Sequence, residues 1–290
     1  MRYRRLLGWM TVAGAAGATA VMIGQRCWRA RIDALNAQLA AHADDRPHLP
    51  VSETQWRTAA ATAPPPVARF LLKSIRSEAA DIREVQLETR GEFRGSVDAR
   101  WLPFAATQRF TTSPPAFVWD ARVQMSRLVD VYVRDAYVGG RAEMVAKIGG
   151  AWTVANDVDA APLAEGQLTR YLGETMWFPT ALIPGRSVIW TPIDDRSATA
   201  TLTDRGRTVR LKFTFTGDDD IAEVFAADRM RAVDGGYDAT PWTVRCSEHE
   251  WRGQVRIPIR CEAEWQLPGG PLAYWRGRVA AIRFGSVTHD

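Results

Sequence analysis

The residues with the clearest potential for chemistry lie in one segment, which runs from Leu163 to Trp190 and reads LAEGQLTRYLGETMWFPTALIPGRSVIW. Helical spacing places Arg170 and Glu174 four residues apart on one face, where they can form an ion pair. An amphipathic helix with a solvated ion pair is the plainer interpretation. The alternative is that the segment covers a ligand cavity, and the predicted ligand-binding residues are then Arg170, Tyr171, Glu174, Trp177 and Arg229.

Apart from these residues the chain carries no enzyme signature. It contains no Gly-x-Ser-x-Gly elbow, P-loop or dinucleotide fingerprint. His249 lacks further ligands at metal-binding spacing, so we predict neither a metal site nor a cofactor. The acidic cluster Asp218 to Asp220 lies at a predicted turn, where Asp is favoured for backbone reasons. A hydrolase-type enzyme would therefore have to use Glu174 together with Arg170 and Arg229.

Two cysteines, Cys246 and Cys261, are predicted to face each other across a β-hairpin that turns at Gly253. The same register pairs Trp242 with Trp265 on one apolar face. Opposite Cβ atoms in an antiparallel pair lie ~5 Å apart, so a disulfide needs little adjustment. We expect this disulfide only in an oxidising compartment, and the alternative is two buried free thiols.

Composition indicates a globular protein that does not bind nucleic acid. The chain has 290 residues, of which 46% are hydrophobic and 24% charged, and it contains 12 Trp. Large aromatic side chains tend to dominate cores and ligand grooves. The net charge is only +4 and the arginines are dispersed, so no dense basic tract marks a nucleic-acid site.

The N-terminus predicts a membrane anchor. The basic residues MRYRR precede an uncharged stretch at 6–25, and twenty helical residues at ~1.5 Å each just span a hydrocarbon core of ~30 Å. A cleaved signal peptide is the alternative, because Ala18-Thr19-Ala20 fits a cleavage site. Basic residues flank both ends of the stretch. We expect a single-pass protein of the cell inner membrane with its body on the extracytoplasmic side, or alternatively on the cytoplasmic side.

From residue 84 onward the sequence alternates with the period of β-strands, and the longest such run is 255–267. Short connections with turn residues predict antiparallel pairing. We therefore expect a mainly β fold, a large curved antiparallel sheet or half-barrel, with helices at 67–77 and 162–177 packed on its concave face. The expected organisation is an anchor with a short helix at 1–45, a linker at 46–66 and a single β-rich domain at 67–290.

The distinctive motif is EGQLTRYLGETMWFPTAL, from Glu165 to Leu182, and shorter motifs are WLPF at 101–104 and FVWDA at 117–121. With these motifs the chain resembles a bacterial family known only as a domain of unknown function, from Pro65 nearly to the C-terminus. The resemblance implies no established activity and no catalytic residues. The family's strand–helix–strand order is similar to that of half-barrel lipoprotein-localisation factors, which hold acyl chains in a groove covered by a helix; this is an analogy of fold.

The leading functional hypothesis is a membrane-anchored protein that binds a lipid or other hydrophobic molecule without catalysis. Three features favour it: strands that are apolar on one face, the many Trp residues, and a helix that can act as a lid. The alternatives are a hydrolase-type enzyme and a structural partner in envelope assembly. A buried carboxylate with a raised pKa inside the cavity would favour the enzyme.

Overall fold

The computed structural model describes the backbone of residues 2–44, 52–76 and 82–285, and the side chains of residues 17–43, 52–76 and 82–285. The helices are α1 (Arg2–Asp44), α2 (Glu53–Ala61), α3 (Pro65–Ser74) and α4 (Ala161–Glu174), and two 3-10 turns follow at Thr175–Trp177 and Pro179–Leu182. The strands are β1 (Glu84–Phe93), β2 (Leu102–Thr111), β3 (Ala116–Gln124), β4 (Asp130–Val138), β5 (Arg141–Ile148), β6 (Trp152–Val158), β7 (Val188–Asp194), β8 (Ser197–Asp204), β9 (Arg207–Phe215), β10 (Ile221–Val233), β11 (Gly236–Arg252), β12 (Val255–Leu267) and β13 (Gly270–Gly285).

Within the described residues the strands form one antiparallel sheet of thirteen strands, in the order β6-β5-β4-β3-β2-β1-β13-β12-β11-β10-β9-β8-β7. The chain runs outward from β1 to one edge, crosses over through α4, and returns from the other edge to β13, which pairs with β1. The predicted mainly β fold with short antiparallel connections is therefore confirmed.

The sheet curls strongly, although its edges β6 and β7 remain unjoined. Nine strand spacings separate β4 from β8, which in a flat sheet is about 43 Å at ~4.8 Å per strand. Yet the Tyr137 hydroxyl of β4 donates to Asp204 of β8 at 2.7 Å. Arg207 likewise donates to the carbonyl of Gly140 in the β4–β5 turn at 3.0 Å. The sheet therefore has a concave face, which carries the main hydrophobic core.

Helix α4 lies across this concave face and is buried on nearly every side. Ten of its 14 residues are buried, so it is more enclosed than an amphipathic surface helix. Its glycines permit this close approach: a Cβ on Gly166 would lie 2.8 Å from the Met230 carbonyl oxygen, and one on Gly173 would lie 3.2 Å from the Trp242 ring. Together with the turn at Thr175–Trp177, α4 confirms the helix predicted at 162–177.

The two short helices before the sheet also enter the main core. Residues 53–61, inside the range that the sequence assigned to a linker, form α2 after a capping box at Ser52, and Trp56 is fully buried. The Lys73 ammonium of α3 lies 3.1 Å from the Asp220 carboxylate, which also accepts two bonds from Arg256 at 2.9 Å. The acidic turn 218–220 therefore has a structural role as an anchor for α3.

Helix α1 packs on the convex face of the sheet. The Trp28 indole donates to Asp120 at 2.9 Å, and Leu35 and Leu39 are buried against β3 and β4. Arg31 pairs with Glu143 at 2.6 Å. The apolar side chains of α1 at Trp28, Leu35 and Leu39 are therefore buried against the sheet, and charged residues lie between them.

The expected single-pass inner-membrane location is wrong. In the part of the chain that the structure describes, no helix combines the length and the apolar character that crossing a membrane requires. The predicted membrane partner, residues 6–25, is likewise not supported, and the side chains of 6–16 lie outside the described residues. The physical reason is that the end of this stretch packs on the sheet, where Gly24 lies against Ala151 in the β5–β6 turn, and that α1 then continues into a charged stretch that contacts the sheet at Trp28 and Arg31.

Strands β11 and β12 pair in the predicted register, with Cys246 opposite Cys261 and Trp242 opposite Trp265. Both cysteines are free thiols, and their Sγ atoms lie 3.7 Å apart. Cys246 also donates to the Met176 Sδ atom at 3.2 Å, which places the thiol pair directly beneath the segment that follows α4. The disulfide itself stays a prediction.

Candidate functional site

A cavity of about 280 Å³ lies between α4 and the concave face of the sheet. Its walls are mostly aromatic and aliphatic, and they come from α4 and from strands on both sides of the β1–β13 junction. A few polar side chains break this apolar lining. They are Asp135, Gln167, Arg170, Glu174, Arg229, Arg231, Tyr237 and Tyr274.

Arg170 is the centre of a buried ion-pair network. Its Nη1 atom lies 2.5 Å from Asp135 Oδ2, and its Nε donates to Glu174 Oε1 at 2.9 Å. Gln108 donates to the other Glu174 oxygen at 2.8 Å. Side-chain exposure is only 13% for Arg170, 11% for Glu174 and 16% for Asp135. The interpretation as a solvated surface ion pair is therefore wrong, because the curled sheet encloses the polar face of α4.

Burial shifts the protonation of both carboxyl groups. Loss of hydration raises the pKa of Glu174 and the pKa of Asp135 above their ordinary values, even though the charge of Arg170 acts in the opposite direction. Arg229 opposes the shift at both groups as well. The site can therefore hold a carboxyl in its neutral form at a higher pH than an exposed carboxyl would allow.

Arg229 is held in a different environment, mostly by aromatic rings. Its guanidinium carbon lies 4.3 Å from the centroid of Trp242 and 5.0 Å from that of Trp265, within the range of cation–π attraction. Its Nε donates to the Gly166 carbonyl and its Nη1 to the Tyr274 hydroxyl, both at 3.3 Å. The Arg229 side chain is a second cationic group in the cavity wall.

The structure brings four of the five predicted ligand-binding residues to this cavity. Arg170, Glu174, Trp177 and Arg229 line it. Tyr171 points into the core instead, where its hydroxyl donates to the Thr111 carbonyl at 2.8 Å.

The DUF6920 family, described as a family of unknown function, matches residues 61–284. The chain belongs to this family. The match includes the whole sheet apart from its last residue, and all residues that line the cavity lie within it. A comparison with curated proteins finds no match.

Solved structures give distant similarities to this DUF6920 chain. A LolA superfamily protein from Nitrosomonas europaea is 12% identical, with a TM-score of 0.39, and the match covers 72% of this chain and 91% of that one. A DUF1329 family protein from Desulfovibrio piger is 9% identical, with a TM-score of 0.39, covering 81% and 94%. A β-barrel-like DUF1849 protein from Brucella abortus is 9% identical, with a TM-score of 0.21, covering 71% and 99%.

Sequence reasoning missed several polar members of the site. Asp135 and Gln108 occupy inward positions of β4 and β2, where each interrupts a row of apolar residues. A polar residue at an inward position of an otherwise apolar alternation was the available signal. Arg231 and Tyr274 gave no such signal, since β10 and β13 both contain register shifts that disturb the alternation.

His249 does not belong to this site. Its Nε2 atom lies 3.0 Å from the Ile221 carbonyl oxygen at the start of β10. Burial lowers the pKa of His249, which favours the neutral ring. Among the described residues, no group of three or more His, Cys, Asp or Glu side chains could hold a metal ion.

Proposed function

We propose that this protein binds a lipid or another hydrophobic molecule, without catalysis, in the cavity beneath α4. The observation that carries the proposal is the cavity itself: about 280 Å³ of space, walled mainly by apolar and aromatic side chains, with a few fixed polar groups. Ligand sites generally combine an apolar lining with a small number of convergent polar groups. A filled hydrophobic core would leave no such space.

Within this proposal the four predicted residues have distinct roles. Trp177 contributes an apolar wall and is only 3% exposed. Arg170 and Glu174 hold α4 over the cavity through Asp135 and Gln108. Arg229 offers a polar contact from the sheet side. The helix therefore acts as the cover, and the ion pairs fix where it sits.

The proposal can be tested on the full-length protein. Native mass spectrometry before and after solvent extraction should reveal a hydrophobic ligand that leaves on extraction. Re-addition of the extracted molecule, or of a panel of lipids, should raise the melting temperature, because a ligand that binds only the folded state stabilises it. The absence of both a bound ligand and any lipid-induced stabilisation would overturn the proposal.

A variant that fills the cavity makes the test specific. Val133 lines the cavity and is only partly buried, so Val133→Phe should occupy ligand space with limited strain. Val97→Phe is the matched control, because Val97 is 55% exposed and lies outside the cavity. We expect Val133→Phe to lose ligand and Val97→Phe to keep it. Equal retention by both variants would place the ligand elsewhere.

One observation favours a second candidate, a hydrolase-type enzyme that uses a cavity carboxyl for acid–base chemistry. Glu174 and Asp135 are buried in the cavity wall, and burial raises the pKa of each. The Oδ1 atom of Asp135 is buried without a hydrogen-bond partner among the described residues. Asp135→Asn should then abolish turnover of a bound ester while ligand binding persists. If the protein hydrolyses no ester in a panel of esters, the hydrolase candidate is wrong.

A further inference from the structure

Arg229 has donor capacity that the protein does not use. The residue is buried, with an exposed fraction of 9%. Its hydrogen bonds go to a carbonyl and a hydroxyl oxygen, whereas the described salt bridges of the cavity carboxylates, Asp135 and Glu174, are with Arg170. A buried cation without an anionic partner is costly, because burial removes its hydration. Stacking on Trp242 and Trp265 offsets only part of this cost.

Arg231 shows the same deficit two residues later on β10. It also lines the cavity, and its guanidinium carbon lies 6.0 Å from the Trp265 centroid, beside the ring that Arg229 contacts. The Nε atom of Arg231 is buried and has no hydrogen-bond partner in the described part of the chain. Two arginines with unused donors therefore flank one tryptophan at the same wall.

The charges around the cavity do not balance. Among its described lining residues, Arg170, Arg229 and Arg231 are opposed by only Asp135 and Glu174. Both carboxylates are already bonded to Arg170. One anionic group placed against Arg229 and Arg231 would satisfy the open donors and remove the excess positive charge.

The size of the cavity limits what can be attached to that anion. Ligand pockets typically measure ~300–1,000 Å³, and this cavity, at about 280 Å³, lies at the small end. Its remaining lining is mostly apolar. The space therefore suits one hydrocarbon chain better than two.

Resting on the proposed function, we infer that the ligand is a single-chain anionic amphiphile. Its carboxylate or phosphate headgroup binds to Arg229 and Arg231, and its chain lies along the apolar wall formed by Trp177 and its neighbours. Arg is suited to this task because its planar fork can donate two parallel hydrogen bonds to either headgroup.

The test compares headgroups on one hydrocarbon chain, using the full-length protein and isothermal titration calorimetry. The probes are dodecanoate, dodecyl phosphate, dodecanol and methyl dodecanoate, with inorganic phosphate and vesicles containing diacyl phosphatidate as further arms. We expect the two anionic amphiphiles to bind about 10- to 100-fold more tightly than dodecanol and the methyl ester, as one or two charge-assisted hydrogen bonds would provide.

Arg229→Gln and Arg231→Gln should remove this preference for anions while the affinity for dodecanol changes little. Arg210→Gln is the matched control, since Arg210 is exposed on β9 and outside the cavity. Arg231 is only half-buried, so Arg231→Gln still gives a result if Arg229→Gln does not fold.

The outcomes separate this inference from the proposed function. Equal affinity for dodecanol and dodecanoate would overturn the anionic headgroup but keep a hydrophobic site. Inorganic phosphate that binds as tightly as dodecyl phosphate would show a free-anion site instead of an amphiphile site. Tighter binding of diacyl phosphatidate than of dodecyl phosphate would overturn the single chain. Binding of none of the alkyl probes would count against the proposed function itself.

Discussion

Arg170 and Asp135 are 35 positions apart in the sequence, yet Arg170 Nη1 lies 2.5 Å from Asp135 Oδ2. This contact joins α4 to β4 across the concave face. Both side chains are largely buried, so each charge compensates the lost hydration of the other. Removing either partner would leave an uncompensated buried charge. The same guanidinium also bonds to Glu174 within α4, and Glu174 accepts a hydrogen bond from Gln108 of β2, so the helix is joined to the sheet at two strands.

Removing the Arg170 cation should therefore be severely destabilising. Arg170→Met keeps much of the side-chain volume but leaves two buried carboxylates without their cation, and we expect a loss of about 3–5 kcal/mol in the free energy of unfolding. Urea denaturation measures it. Arg210→Met, at an exposed position, should change stability by no more than ~0.5 kcal/mol. Similar stability of the two variants would contradict the network.

Glu174 should give the protein a recognisable pH dependence. Burial raises the pKa of Glu174 above its ordinary value of 4.5. The contribution of its neutral form to stability is therefore fully present below pH 4.5 and is lost as the pH rises through the higher folded pKa. Glu174→Gln cannot ionise, so the wild type should lose stability relative to this variant as the pH rises.

The measurement for Glu174 is the free energy of unfolding of both proteins across the acidic and neutral pH range. Glu88→Gln serves as the control, because Glu88 is exposed on β1 and should leave the profile unchanged. A constant difference between wild type and Glu174→Gln at every pH would show that Glu174 has an ordinary pKa.

Gly166 should not tolerate a side chain. A Cβ there would lie 2.8 Å from the Met230 carbonyl oxygen, which is backbone and cannot move aside cheaply. Alanine favours helix over glycine by about 1 kcal/mol, so an uncrowded Gly166→Ala would be stabilising. We expect instead a destabilisation of about 1–3 kcal/mol by overpacking, measured by thermal or urea unfolding. Gly217→Ala, where nothing lies within 4 Å, is the control.

Cys246 and Cys261 should form a disulfide under oxidising conditions. Their directly opposed positions and the 3.7 Å between the sulfurs require little movement. Closing a loop of this length should stabilise the protein by roughly 3 kcal/mol. Burial raises the pKa of Cys261 well above its usual range, so the partly exposed Cys246 should react with the oxidant first.

Thiol titration and intact mass after treatment with oxidised glutathione measure this reaction. Cys27 is exposed and is best replaced by serine in all samples, so that intermolecular disulfides do not confuse the result. Two titratable thiols that persist after prolonged oxidation of the Cys27→Ser protein would show that the pair stays reduced.

Local patterns in the sequence determined the strands, the helix α4 and one tertiary detail, the pairing of Cys246 with Cys261. Alternation along 255–267 sufficed to define β12, and the turn at Gly253 fixed its register with β11 down to Cys246 opposite Cys261. This was predictable because the partners lie close in the chain and a slip by one residue would turn every apolar side chain outward. The helix at 162–177 followed from its helical spacing.

The tertiary structure alone decided the environments of these elements. The Arg170–Glu174 spacing is the same on a surface helix and on a buried one; only the curl of the sheet encloses it and supplies Asp135. The apolar stripe of α1 at Leu35 and Leu39 likewise did not show that it would pack on the convex face of the sheet. Periodicity specifies which face of an element is apolar, whereas the distant strands that cover that face are set by how the whole sheet closes.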